Sequence, residues 1–133
     1  MHPVTLAASI TTATAALGGC TQSAEVTEER DRIAYQGVQT ILLADEMVSF
    51  GLSLSGARDE ADVEAYGRCA AAQYALDRGY GFVRHVRTIV KQDGRSWFGD
   101  AVYLISEARP EGLRTIEAEE AVAECGALGI PTV

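Results

Sequence analysis

The sequence predicts a small α+β domain: a two-layer sandwich in which an antiparallel sheet of three to four strands packs on one main helix, with a second helix at the C-terminal end. Three stretches predict it. Met47 to Leu54 alternates apolar with small residues, and Asp59 to Arg78 opens on acidic residues and closes before a glycine. Two runs rich in aromatic and β-branched residues then flank an Asp-Gly turn. In chain order these give β-α-β-β-α.

Upstream of the first clear strand, Ile33, Tyr35 and the run Val38 to Leu43 are apolar enough for a fourth strand over 38–44, with Asp45-Glu46 as its turn. In the strand Met47 to Leu54, Val48, Phe50, Leu52 and Leu54 form one apolar face, while Ser49, Gly51 and Ser53 form the other. Ser55-Gly56 ends it. The acidic start of Asp59–Arg78 suits the positive end of a helix dipole, and Gly79 suits a left-handed cap. Two stripes run along this helix. Ala61, Ala65, Cys69, Ala72 and Leu76 form a small-residue stripe expected to lie close on the sheet. Val63, Tyr66, Ala70 and Tyr74 form a second, expected to meet another element, and Glu64 is placed to pair with Arg68 one turn on.

Gly81 to Lys91 and Trp97 to Ser106 read as a hairpin joined by Gln92-Asp93-Gly94-Arg95. Alternation breaks at Arg84-His85-Val86-Arg87, where a bulge is expected. Ala108 to Gly112 is a loop, Leu113 to Ile116 is extended, and Glu117 to about Gly126 forms a short helix with Cys125 on its last turn.

The first nineteen residues contain no Asp, Glu, Lys or Arg, and Val4 to Leu17 is mildly apolar, with only His2 in place of a basic start. Leu17-Gly18-Gly19-Cys20 follows and resembles the lipobox of bacterial lipoproteins. The resemblance implies a signal peptide over 1–19 and a diacylglyceryl group on Cys20 after cleavage. The polar, acidic run that follows reads as a flexible tether over 20–31, and the length that remains suits a single domain over 32–133. Acyl chains contribute about 0.8 kcal/mol of membrane affinity per buried CH₂, so a multiply acylated cysteine anchors stably. By the same resemblance Thr21, rather than Asp, after the cysteine implies the outer membrane. The plainer reading is an Ala-rich helix over Val4–Leu17 with Cys20 as a buried thiol.

The formal charge is −8, and all of it lies outside the leader. An acidic chain of this kind is a poor general binder of nucleic acid. Three cysteines are present. If Cys20 is lipidated, Cys69 and Cys125 remain, and a disulfide between them suits an oxidising compartment. Closing the long loop between them would add about 4 kcal/mol on the chain-entropy model. Two separate buried thiols are the alternative.

The run Phe50 to Phe82 resembles a small family of alpha-proteobacterial lipoproteins, mostly of unknown function. The shared features stand here as Leu54-Ser55-Gly56, Ala71-Ala72 with Leu76, Gly79-Tyr80 and Phe82-Val83. Gln73 and Ala70 replace the acidic residue and the arginine that usually flank the paired alanines. The resemblance implies fold and location and brings no activity.

No metal-ligand spacing is present: there is no Cys-x-x-Cys, and the two histidines are far apart in sequence. Neither a nucleophile elbow nor a phosphate loop occurs, and no cofactor is implied. The alternative to a non-enzymatic protein is a thiol-dependent enzyme or accessory using Cys69 or Cys125, paired with His85. The strongest local signal is charge. Arg78, Arg84, Arg87, Lys91 and Arg95 fall close together against Asp93 alone. Arg84, His85, Arg87, Lys91 and Arg95 are therefore the candidate face for an anionic partner, an envelope protein, a lipid headgroup or a polysaccharide. The competing reading is a solvated face balancing Glu117, Glu119, Glu120 and Glu124. The expected function is a non-enzymatic binding or structural role in the cell envelope, facing the periplasm from a lipid anchor.

Overall fold

Leu52 and Val63 crowd against Gly99 so closely that a Cβ at Gly99 would meet the Val63 Cγ1 at 2.6 Å and the Leu52 Cδ1 at 3.1 Å. That contact marks where the main helix lies on the sheet. In the computed structural model, Pro3, residues 32–112 and residues 114–132 are described. The chain divides into two units, Met1–Asp31 and Arg32–Val133. The leader and tether expected over 1–19 and 20–31 lie, Pro3 aside, outside the described residues, and so does Leu113.

The second unit runs β1 (Ala34–Ala44), β2 (Met47–Ser55), α1 (Glu60–Asp77), β3 (Phe82–Asp93), β4 (Ser96–Ser106), β5 (Thr115–Glu117) and α2 (Ala118–Leu128). The five strands form one sheet of order β1-β2-β4-β3-β5, antiparallel at every pairing. Because β4 lies between β2 and β3, those two run parallel, and α1 is the crossover between them. The α+β sandwich expected from sequence is present, with β1 as a full edge strand and β5 as a short strand at the other edge.

β1 starts four residues earlier than the apolar run suggests. An extra residue between Tyr35 and Gly37 lets the strand continue, and Gly37 takes a φ of +127°, a value side-chain-bearing residues rarely adopt. Asp45-Glu46 form the two-residue loop to β2. In β2 the predicted alternation holds: Val48, Phe50, Leu52 and Leu54 are at most 2% exposed and face the core.

Asp59 caps α1, its side chain accepting from the Ala61 N–H at 3.0 Å. The other end closes as a Schellman motif: the Tyr80 N–H donates to the Ala75 carbonyl at 2.8 Å, the Gly79 N–H to Leu76 at 3.0 Å, and Gly79 has a φ of +82°. The two stripes are exchanged relative to expectation. Val63, Tyr66, Ala70 and Tyr74 meet the sheet, with Tyr66 against Tyr35 at 4.7 Å and Tyr74 against Phe50 at 5.5 Å between ring centroids. Gly67 continues this stripe, since a Cβ there would lie 3.1 Å from both Ala101 and Leu52. Cys69, on the other stripe, turns to α2, and Ala61 is exposed. The physical reason is volume. The β4 positions facing α1 include Gly99 and Ala101, so the sheet itself leaves room for the larger side chains of the helix.

Cys69 and Cys125 form a disulfide with Cα atoms 6.0 Å apart, joining α1 to α2. Arg68 does not remain with Glu64 on its own helix but reaches Glu124 of α2 at 2.8 Å. The α2 helix ends in a second Schellman motif at Gly129, with Ile130 N–H donating to the Cys125 carbonyl at 3.0 Å. No helix among the described residues is long and apolar enough to cross a membrane.

Candidate functional site

The basic residues of β3 are sorted by one extra residue. His85 opposes Tyr103 and Arg87 opposes Val102, so Val86 is an additional residue between two consecutive pairs. Side chains in a regular strand alternate between faces, which would put Arg84 and Arg87 on opposite sides. The Val86 bulge restores them to one side. Arg84, Arg87 and Lys91 therefore share the sheet face away from α1, alongside Leu104, Val102 and Phe98 of β4. The expected break in alternation is thus the feature that builds the basic face.

His85 is not part of it. Its ring lies on the α1 side, 5.0 Å from the Tyr103 ring, and its Nε2 is 2.7 Å from the Thr88 hydroxyl. His85 and Tyr103 join Ala61, Glu64, Ala65, Arg68 and Ile116 in lining a separate cleft of about 280 Å³. Burial pushes the Tyr103 hydroxyl well above the ordinary phenol range, so it stays protonated. Arg95 is also apart. It sits in the two-residue loop at the hairpin tip beside Gly94, whose φ of +58° is the positive value a type II′ turn requires at its first position.

On the open face, Asp100 accepts from the Ser49 hydroxyl at 2.7 Å and pairs with Arg87 at 3.2 Å. The Ser49 hydrogen bond, and then Arg87, hold the Asp100 carboxyl below its ordinary pKa. The Arg87 charge is thus partly neutralised. With both side chains near half exposed, 46% and 48%, the pair itself contributes little to stability. Ser49 and Val102 are almost fully buried on the same face, while Ile89 and Phe98 remain 49% and 45% exposed. The face is therefore amphipathic.

Arg84 is different. It makes no ion pair among the described residues, whereas Arg58, Arg68, Arg87 and Arg109 each reach a carboxylate. It lines a groove of about 500 Å³ with Met47, His85, Val86, Leu104 and Arg114. Two of the four acids expected to balance the basic residues are engaged elsewhere, Glu117 with Arg109 and Glu124 with Arg68. Arg114, Asp100 and Ser49 were not singled out by sequence reasoning. Arg114 falls in Leu113 to Ile116, which reads as extended, and its left-handed φ of +69° departs from that reading with no signature in residue type. Ser49 to Asp100 is a contact between positions 51 apart in the chain, set by the β2–β4 register.

Both remaining candidate thiols are bonded to one another, so neither is a thiolate in this form. No group of three or more His, Cys, Asp or Glu side chains that could hold a metal occurs among the described residues.

Fold and site together define a small disulfide-linked α+β domain with one amphipathic, cationic sheet face. The chain belongs to the YNQ4 C-terminal domain family, whose model matches residues 35–129, from β1 to the glycine that caps α2. It is 34% identical over 113 residues to the "Uncharacterized 26.9 kDa protein in nqo8 5'region" of Paracoccus denitrificans, an alignment covering 80% of this chain. The chain spans 44% of the length of that relative. No solved structure matches it.

Proposed function

We propose that this protein is a lipid-anchored component of the bacterial cell envelope that faces the periplasm, probes no chemistry of its own, and docks an anionic envelope partner, protein or polysaccharide, on the open face of its sheet. The observation that carries the docking reading is the Val86 bulge, which gathers Arg84 and Arg87 with Lys91 on one amphipathic face of a chain whose net charge is −8. Clustered cations on an otherwise acidic surface focus attraction for anions at one place. Two features support the location. Leu17-Gly18-Gly19-Cys20 resembles a lipobox, and the Cys69–Cys125 disulfide leaves Cys20 as the cysteine outside the bond, in keeping with an oxidising compartment.

Charge reversal tests the docking. The variant Arg87→Glu/Lys91→Glu, made in the native host, is expected to lose proteins or glycans that co-purify with the wild type after mild cross-linking. Its far-ultraviolet spectrum and melting transition should stay close to wild type, since surface changes of this kind usually fall within about 0.5 kcal/mol. Retention of every co-purifying partner would overturn the reading.

A further inference from the structure

Two backbone irregularities deliver two arginines to one groove. The first is the bulge at Val86, which sets the face that Arg84 shares with Arg87. The second is Arg114. Thr115 is the register partner of Arg84 and so shares its face. In a regular strand the preceding residue would point to the opposite side. Arg114 instead takes a φ of +69°, the single positive value at a non-glycine among the described residues, and lines the same groove as Arg84. Its carbonyl accepts from the His85 N–H at 3.3 Å, which ties this turn to the bulged segment of β3. Left-handed backbone at a residue with a side chain is unfavourable, and it persists where the surroundings require it.

The groove has the composition of a binding site. Met47, Val86 and Leu104 provide an apolar wall, and Arg84 and Arg114 provide two guanidinium groups without carboxylate partners among the described residues. Gly112, with a φ of +110°, brings the β4–β5 loop against the Arg84 guanidinium, where a Cβ would lie 3.8 Å from Nη2. A volume of about 500 Å³ falls in the range of small-molecule sites. We infer that this groove binds a small amphiphilic anion: a phosphate or carboxylate held by Arg84 and Arg114, with a short alkyl chain laid along Met47, Val86 and Leu104. Paired guanidinium groups match such oxygens through charge-assisted hydrogen bonds. The inference deepens the reading of the open face as an anion-binding surface and takes the sign of the ligand from it.

The test uses the full chain carrying Cys20→Ser, so that no detergent is needed, with monomeric decyl phosphate as probe and decanol as its neutral counterpart. Decyl phosphate is expected to bind saturably and to shift the Met47 methyl resonance. Arg84→Gln and Arg114→Gln should each weaken it about tenfold or more, the loss expected for a hydrogen bond to a charged group. Arg95→Gln, distant at the hairpin tip, should change it less than about twofold. Arg114→Gly keeps a residue suited to the left-handed backbone, so weakened binding there with an unchanged melting transition reports the lost guanidinium and not a lost fold. Three results would overturn the inference: no saturable binding, binding indifferent to both arginine variants, or binding to phosphatidylglycerol vesicles without binding of the monomeric probe. If decyl phosphate fails while Arg87→Glu/Lys91→Glu still strips a partner, the groove is refuted and the docking face stands. If decyl phosphate binds and the charge reversal strips nothing, the docking face falls and the groove stands.

Discussion

Asp100 lies between the Ser49 hydroxyl and Arg87, and Asp62 accepts from the Arg58 main-chain N–H at 2.8 Å and from its guanidinium at 3.0 Å. Hydrogen bonds to the ionised form lower both carboxyls from the ordinary value of 3.8, with the Arg58 side chain the largest cause at Asp62 and Ser49 the largest at Asp100. An acid whose folded pKa is depressed contributes stability above its unfolded pKa and loses it as pH falls through the folded one. The window therefore lies below pH 3.8, and neither group affects stability near neutrality through its titration. Denaturant midpoints measured from pH 6 down to pH 2 should fall in the wild type, and Asp62→Asn/Asp100→Asn should flatten that fall. A variant with the same acid limb as wild type would show that other carboxylates govern it.

Among the elements, α2 depends most on a single connection. It has eleven residues, and an isolated helix that short is marginal in water. Ala118, Ala121 and Cys125 are its buried residues, so small side chains and the disulfide provide its attachment. The bond closes a sequence separation of 56, for which the chain-entropy model gives about 4 kcal/mol. Cys69→Ala/Cys125→Ala is expected to lower unfolding stability by about 2–5 kcal/mol. Amide exchange should then lose protection first in α2, while β2 and β4 keep theirs. Equal stability of the two proteins would contradict this account. Elements were legible in the sequence where one physical signal dominated. Val48 to Leu54 alternates because one face is wholly buried, and Asp59 and Gly79 bound α1 because caps act locally. The full length of β1 was not legible, since an edge strand with mostly exposed side chains has little reason to alternate. Nor was the choice between the α1 stripes, because it depends on Gly99 and Ala101, which meet the helix only after the β2–β4 register is set. The candidate face was legible as a charge cluster and not as a geometry. Sequence proximity grouped His85 and Arg95 with Arg84, but the pleat turns the His85 ring to the α1 side and the hairpin tip sets Arg95 apart. The groove, which His85 also lines, adds Arg114 through a backbone angle that residue type does not encode.

For the molecule as a whole, the decisive quantity is the covalent state of three cysteines. Two are joined in the domain that the family model covers, and the third, Cys20, follows nineteen residues that contain no Asp, Glu, Lys or Arg. A disulfide is kept where the surroundings oxidise thiols, so the pair and the proposed anchor place the same demand on compartment. A lipid anchor on a flexible tether would keep the domain close to the membrane without fixing its orientation, and attraction between its cationic face and an anionic partner would decay over a screening length of about 8 Å at physiological ionic strength. Intact mass measured on the protein from its own host, before and after reduction, tests both demands at once. The expected mass corresponds to cleavage before Cys20 with acyl chains added, and reduction should add two hydrogens, one for each sulfur of the Cys69–Cys125 bond. Cysteine 20 changed to serine, Cys20→Ser, should leave the chain uncleaved and without acyl mass, while the two-hydrogen gain on reduction persists. An uncleaved wild-type mass with three free thiols would remove the anchor and the oxidising compartment together, and the open face would then have to find its anionic partner elsewhere in the cell.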